Sequence, residues 1–478
     1  MQRTNINNVN IQYLLIFSGI LVAGLIGYFI GFNGVSKLFI AGILGAVFLI
    51  VTVIRPWVAI SAFFALIPLE NLFVIEGSIT STMTKLVGAY LVVLVIITGS
   101  LRHIHDVFSS KKVVAMMLFG GAATVSIMLS EDMSFSLPFL ISLWLSIILC
   151  FVLVLMIRDT KTLNIAIWAL LIGGVISIIS PIFFRFGRVS GYDFQRYGGL
   201  WGDQNEFAAL LLVLIPLSVV NIITSRRNIY KIISVAISVT LIAGVILTYS
   251  RGGFLALCLM VVLAMFKLTS GRKRLKILAI TVPCMIVAFA LFYYFFSEDI
   301  IARMETLKLL SSKDAVTKDA SLNARYYFYF ELTPKVFSEH PIFGLGLRQI
   351  IFNNPYHYVT HNTFFEVLTG TGLLGFIPFI LIIFLSWKEL RTVVKADGGN
   401  DYHLRYYASA LELGFLAYLF AGLFISLDMN KMLWLTISMA AVVFNLYRIN
   451  TGNSRQSGNS SRNRDHYNDR RLTYPNRV

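Results

Sequence analysis

Apolar runs recur along most of the chain, and each is separated from the next by a polar segment. Runs of about 18 residues or more are long enough to cross a hydrocarbon core roughly 30 Å thick as helices. The pattern predicts fourteen spans, with a range of twelve to fourteen because the third run is short and the ninth and tenth are closely joined. The predicted spans are 12–33, 36–54, 57–76, 85–100, 112–130, 135–157, 163–185, 206–224, 231–249, 252–268, 277–297, 363–387, 404–426 and 431–447. The predicted fold is an all-α, polytopic transmembrane helical bundle.

Basic residues fall in every second loop between these runs, which is the distribution that the positive-inside rule describes for cytoplasmic loops. The basic residues of these loops are Arg55, Arg102, Lys111, Lys112, Arg158, Lys161, Arg226, Arg227, Lys231, Lys267, Arg272, Lys273, Arg274, Lys276, Lys388, Arg391 and Lys395. An even number of spans places the two termini on the same side of the membrane. Both termini are therefore predicted to be cytoplasmic.

The same pattern divides the chain into a membrane domain, residues 1–447, and a tail, residues 448–478. Within the membrane domain, 298–362 is predicted to form one large extracytoplasmic loop. The tail is rich in Asn, Ser and Arg and has few side chains to bury. Such a composition predicts a disordered, basic cytoplasmic segment.

Composition supports the membrane assignment and narrows the partners. A soluble protein could not bury a chain that is 57% hydrophobic and only 13% charged. The net charge of +16 is spread over alternate loops, so it indicates membrane topology and a lipid bilayer as the partner rather than nucleic acid. The three cysteines lie far apart in apolar runs and predict neither a disulfide nor a zinc site.

Arginines on the predicted outer side are the first candidates for chemistry, because the positive-inside rule disfavours them there. They are Arg188, Arg196, Arg251 and Arg325. Arg251 lies between two apolar runs, a costly place for a charge unless it faces a cavity, a partner or an anion. Arg325 lies in an aromatic segment, and guanidinium groups bind phosphate oxygens in pairs. The structural alternatives are a snorkelling anchor for Arg251 and an interfacial aromatic helix around Arg325.

Two predicted helix starts on the same side carry further polar candidates. His361 immediately precedes a helix whose first turns contain Asn362 and Glu366. A neutral imidazole with a pKa near 6.5 can accept a proton, although a plain polar cap is the alternative reading. Asp203 is a predicted N-cap three residues before Glu206, and such a helix start directs free N–H groups towards an anion.

Missing motifs limit the chemistry further. The chain has no Asp-x-Asp pair, P-loop, HExxH or GxSxG sequence, so neither a metal nor a cofactor is predicted. Several permanent cations and one base suit transfer from a diphosphate-linked donor, in which arginines stabilise the leaving group and histidine deprotonates an acceptor hydroxyl. A transporter of an anionic lipid or glycan is the alternative from another class. It would need charged helix interiors at mid-membrane, and Glu412 and Glu70 are the only acids that the predicted spans place there.

An ordered set of short motifs resembles the O-antigen ligase / O-antigen polymerase superfamily of bacterial membrane glycosyltransferases, over roughly residues 190–380. The motifs are Arg196 with Gly202-Asp203-Gln204-Asn205, Ser250-Arg251-Gly252-Gly253, Arg325 with Pro341 and Gly344-Leu345-Gly346, and His361-Asn362 with Gly372 and Gly375. The resemblance implies metal-independent, inverting transfer of a glycan from undecaprenyl diphosphate. The reaction would take place at the periplasmic or outer face of the inner membrane, in the biosynthesis of cell-surface polysaccharides such as lipopolysaccharide or exopolysaccharide.

The resemblance also implies roles for individual residues. Arg251 and Arg325 match arginines that bind the diphosphate-linked donor, and His361 matches the proposed catalytic base. Arg196 and Asn205 match a further segment of the site, with Asp203, Asn362 and Glu366 as supporting residues.

The acceptor is left open by the resemblance. A lipid A-core sugar would make the protein a ligase, which we favour because of the large loop that carries Arg325 and His361. A growing glycan would make it a polymerase, and fourteen spans exceed the twelve usual for ligases. A protein hydroxyl would make it an O-oligosaccharyltransferase.

Overall fold

The computed structural model describes residues 36–70, 83–108, 110–184, 197–268, 320–396 and 402–469. These residues form helices and loops, with no strand among them, which confirms the predicted all-helical class for this part of the chain. The helices are α1 (Ser36–Ile54), α2 (Pro56–Leu66), α3 (Met83–Ile97), α4 (Ile104–Phe108), α5 (Lys111–Met128), α6 (Met133–Met156), α7 (Thr160–Phe184), α8 (Gln204–Thr224), α9 (Asn228–Leu247), α10 (Arg251–Leu268), α11 (Ala320–Tyr327), α12 (Thr333–Glu339), α13 (Thr363–Lys395), α14 (Tyr402–Ala421) and α15 (Lys431–Asp469).

Seven described helices are long and apolar enough to cross a membrane. They are α5, α6, α7, α8, α9, α13 and α15, and each coincides with a predicted span. The number rises to eight if the bent pair Met83–Ile97 and Ser100–Phe108 forms one span. Fourteen spans are therefore not confirmed, and the predicted spans 12–33 and 277–297 lie outside the described residues.

The chain divides into two compact units, Met1–Ala59 and Ile60–Val478. In the described part of the first unit, α1 is mostly apolar and exposes Ile50 and Ile54. Exposed isoleucines on such a helix are expected where lipid replaces water as the solvent.

Helix α8 forms the centre of the second unit. Its residues from Phe207 to Leu217 are all buried, because the helix is apolar on every side and packs against α9, α10 and α14. Small residues on its neighbours permit close approach. A Cβ atom added at Gly174 of α7 would lie 2.5 Å from Leu214 Cδ1, and one at Gly414 of α14 would lie 3.0 Å from Val213 Cα.

Two predicted boundaries need comment. The predicted span 404–426 ends too late, because α14 stops at Ala421 and residues 422–430 form a loop whose polar groups bind other helix ends. Helix α15 continues to Asp469 and so includes much of the tail that was predicted to be disordered. Disorder of the tail is therefore not confirmed, and residues 470–478 lie outside the described part of the chain.

Helix α13 is broken at Gly372, where the backbone has φ 58° and ψ −164°. The segment 341–346 pairs with the backbone groups around this break. Leu345 N and Gly346 N donate to Thr369 O (2.9 Å) and Gly370 O (3.0 Å), while Leu373 N donates to Pro341 O (2.9 Å). The break is thus satisfied by protein rather than left open, as required within a membrane span. It anchors the long loop directly to α13.

Replacing Gly372 with alanine is expected to destabilise the protein by about 3 kcal/mol or more, from backbone strain plus overpacking. The conformation is one that essentially only glycine adopts, and the new Cβ would lie 2.3 Å from Ile342 O. Thermal unfolding in detergent would measure the loss. Gly121→Ala on α5 is the control, since nothing lies within 4 Å of the added Cβ there. A Gly372→Ala protein as stable as the control would contradict the role given to the break.

Candidate active site

The starts of four helices meet at one end of the second unit. Ser250 Oγ donates to Asn205 Oδ1 (2.8 Å) and so joins the starts of α8 and α10. Thr363 N donates to Gly422 O (2.8 Å), which joins the start of α13 to the loop before α15. Asn430 Nδ2 donates to Glu206 Oε2 (3.0 Å) and links that loop back to α8. We call this end, with the loops 197–203, 340–362 and 422–430, the site end.

At the site end, α8 begins as the sequence predicts. Asp203 is its N-cap, and Oδ1 accepts from the N–H groups of Asn205 (2.8 Å) and Glu206 (2.9 Å). The Glu206 carboxylate does not complete a capping box. It accepts instead from Trp201 Nε1 (2.9 Å) and from Asn430, so it connects two loops.

His361 occupies the left-handed backbone region, with φ 53°, immediately before α13. Its neighbour Asn362 is the N-cap, because Oδ1 accepts from Phe364 N (2.9 Å) and Phe365 N (3.1 Å). The predicted start of this helix is confirmed. The imidazole is half-buried, and its ring centroid lies 6.4 Å from that of Phe328.

Burial and the neighbouring charges favour the neutral form of the His361 imidazole. Burial lowers the pKa of the imidazole below its ordinary value, and the charge of Arg325 lowers it further. Asp203 and Glu366 raise the pKa, and Arg348 lowers it, but the net direction is downward. At neutral pH the imidazole is therefore unprotonated and able to accept a proton. The same interactions show that Arg325 and Asp203 act on one histidine.

Arg325 lies in the last turn of α11, and a π-helical turn, Phe328–Leu332, follows α11 directly. Its Nε is buried and has no hydrogen-bond partner among the described residues. Tyr329 follows one turn later, and its hydroxyl donates to Leu423 O (2.7 Å) and lies 3.2 Å from His361 O. Burial raises the pKa of the Tyr329 hydroxyl, which remains protonated as a donor. A buried donor nitrogen without a partner is what an anionic ligand would satisfy.

The remaining predicted donor-binding residues differ in their positions. Arg251 is the first residue of α10, next to Ser250, whose Oγ accepts from Gly253 N (3.1 Å) and so caps the helix. The hydrogen bond from Ser250 to Asn205 holds the start of α10 at the site end, and Arg251 is the first residue of that helix. Arg196, like Arg188, lies outside the described residues.

Arg348, Asp428 and Tyr329 are among the polar residues at the site end that were not predicted as site residues. Arg348 Nη1 lies 3.0 Å from Glu366 Oε1, and Nη2 lies 3.2 Å from Asp428 Oδ1. Arg348 carries the same signal as the predicted arginines, a cation on the predicted outer side, where the positive-inside rule disfavours it. Asp428 carries no comparable signal, because an Asp between two apolar runs reads as an ordinary turn residue.

Part of the chain matches a known protein family. Residues 236–380 match the family described as O-antigen ligase, a stretch that contains Arg251, Arg325, Arg348 and His361. The match supports membership of the O-antigen ligase superfamily. No curated protein matches the chain at a significant level.

The O-antigen ligase superfamily comprises membrane glycosyltransferase-like proteins of the ligase and polymerase type. Together with the apolar helices of the described residues, this match indicates a membrane protein. The matched stretch ends within α13, so the loop 422–430 and the start of α8 reach the site from outside the O-antigen ligase match.

Proposed function

We propose that this protein transfers a glycan from undecaprenyl diphosphate to an acceptor hydroxyl at the extracytoplasmic face of the inner membrane, as an O-antigen ligase. One observation carries the proposal: a half-buried histidine held neutral at the site end is accompanied by Arg325, whose buried Nε has no partner among the described residues. A base for a hydroxyl and a cation for a diphosphate are the two groups that such a transfer requires.

The proposed reaction is a single displacement at the anomeric carbon of the donor sugar. His361 takes the proton of the acceptor hydroxyl as the acceptor oxygen bonds to that carbon. The bond from carbon to the diphosphate oxygen breaks, and the electron pair leaves with the diphosphate. Arg325 and Arg251 bind the diphosphate and stabilise its developing charge, without a metal ion. His361 then returns its proton to solvent.

In this scheme the supporting residues hold the helix starts that carry the reacting groups. Asp203 and Asn362 hold the starts of α8 and α13 as N-caps. Asn205 connects α8 to Ser250 and thereby to Arg251. Glu366 is buried and bound to other protein groups, so we assign it to positioning rather than to proton transfer from the acceptor.

Reconstitution in proteoliposomes tests the function. The protein would be supplied with an undecaprenyl-diphosphate-linked oligosaccharide and with lipid A-core as acceptor, and glycosylated acceptor and free undecaprenyl diphosphate would be quantified. We expect both products in equal amounts, at a rate that a chelator leaves unchanged. Longer donor-linked chains without a glycosylated lipid A-core would indicate a polymerase, and movement of an intact donor across the bilayer would indicate a transporter.

A further inference from the structure

Arg348 makes a buried ion cluster that the proposed reaction does not use directly. Its side chain is only 11% exposed, and those of its partners Glu366 and Asp428 are 2% and 4% exposed. The residue also has an unusual left-handed backbone, with φ 65°. Removing one member of a buried ion cluster leaves the others uncompensated, so such a cluster holds its elements firmly together.

Through Glu366 the cluster reaches the residue that precedes His361. Glu366 Oε2 accepts from the backbone N of Thr360 (2.9 Å) and from Thr360 Oγ1 (2.8 Å). Thr360 is fully buried, and its hydroxyl also lies 3.0 Å from Asn362 O. The turn 360–362 is therefore fixed on its N-terminal side by a carboxylate that Arg348 keeps paired.

Through Asp428 the cluster reaches the residue that follows His361. Asp428 lies in the loop 422–430, and its carbonyl accepts from Trp434 Nε1 (2.9 Å). The same loop provides Leu423 O, which accepts from Asn362 Nδ2 (3.1 Å). Arg348 thus holds both flanks of His361, one through α13 and one through a loop more than 60 residues further along the chain.

We propose that Arg348 is a positioning residue that, through Glu366 and Asp428, locks the turn 360–362 and so sets the place of the His361 imidazole. Positive φ is uncommon for a residue other than glycine, so contacts that fix the backbone at His361 help to hold the ring in place. Displacing a catalytic group by about 1 Å can reduce the rate about 100-fold. The inference rests on the proposed function of His361 as the base.

Arg348→Gln and the isosteric Asp428→Asn test the proposal in the full-length protein. We expect kcat for glycan transfer to fall about 100-fold in Arg348→Gln, with KM for the donor nearly unchanged, because the group that moves is the base. Glu389→Gln is the control, since Glu389 forms an equally buried ion pair with Lys112 away from the site end. It should lose thermal stability like the test variants and keep its kcat.

A readout independent of turnover is the modification of His361 by diethyl pyrocarbonate, followed by mass spectrometry across a pH series. Loosening the turn should raise the limiting modification rate of His361 in both test variants. In Arg348→Gln the pH midpoint should also rise, because the positive charge of Arg348 is lost while burial, Arg325, Asp203 and Glu366 still act on the ring. Glu389→Gln should reproduce the wild-type curve.

The outcomes separate this inference from the function on which it rests. Wild-type kcat and a wild-type modification curve in both Arg348→Gln and Asp428→Asn would overturn the positioning role. Equal loss of kcat in Glu389→Gln would also overturn it, because any lost ion pair would then have the same effect. An active His361→Asn protein would refute the proposed base, whatever the modification curves show.

Discussion

Replacing His361 with asparagine is expected to lower kcat by about 10²–10⁴-fold, the range that a positioned general base contributes. Asparagine tolerates the left-handed backbone that His361 adopts (φ 53°), so the loss reports the imidazole rather than strain. The rate of glycan transfer at saturating donor and acceptor is the measurement.

His357→Asn is a matched control for this substitution. His357 lies in the same loop, has the same φ of 53° and is exposed. The two positions therefore require the same backbone conformation, and only the surroundings of the imidazole differ. We expect His357→Asn to keep its kcat. If both variants retained full activity at equal expression, His361 would not be the base.

Replacing Arg325 with glutamine is expected to lower kcat by about 10²–10³-fold, as for the loss of one donor that stabilises a developing anion. The buried Nε of Arg325 has no partner among the described residues, so the diphosphate is the group whose binding it would lose. Arg325→Lys should recover only part of the rate, because an ammonium keeps the charge but not the planar pair of donors.

The pH profile distinguishes a loss of charge from a loss of shape. The proposed reaction requires neutral His361, and burial followed by the charge of Arg325 holds the pKa of that imidazole below 6.5. The wild-type rate should therefore decline only at acidic pH, as the imidazole becomes protonated. In Arg325→Gln one lowering charge is gone, so the acidic limb of kcat should move to higher pH. In Arg325→Lys the limb should stay near its wild-type position.

Lys335→Gln provides the control for charge. Lys335 lies exposed on α12 in the same loop and loses the same formal charge. Because solvent screens an exposed cation, neither the rate nor the acidic limb should change. A limb that moved equally in both variants would mean that net charge, and not the place of Arg325, sets the pKa of His361.

Local signals in the sequence predicted local structure well. The N-cap predicted at Asp203 is correct, since an N-cap depends only on a side chain and the two or three N–H groups that follow it. At the start of α13 the cap is Asn362, which the sequence had placed inside the first turn, with His361 as the alternative cap. The end of α14 was predicted five residues too late. Hydrophobicity continues through Leu423, Phe424 and Ile425, and only bonds to distant helix starts show that these residues form a loop.

The break at Gly372 illustrates the same limit. A Gly-rich stretch was visible in the sequence, but it reads as close helix packing as readily as a break. The break forms because of the segment 341–346, whose carbonyl and N–H groups pair with the backbone groups of α13 that the break leaves without a partner inside the helix. These partners lie 24 or 32 residues apart in the sequence, and no local propensity records them.

The sequence by itself determined that the protein is a helical membrane protein and where several of its helices begin. These conclusions follow from hydrophobicity, capping and charge placement, which act over a few residues. Only the tertiary structure decided what holds His361. Arg348, Glu366 and Asp428 meet through buried contacts between distant segments, because a buried charge must find its partner wherever the fold provides one.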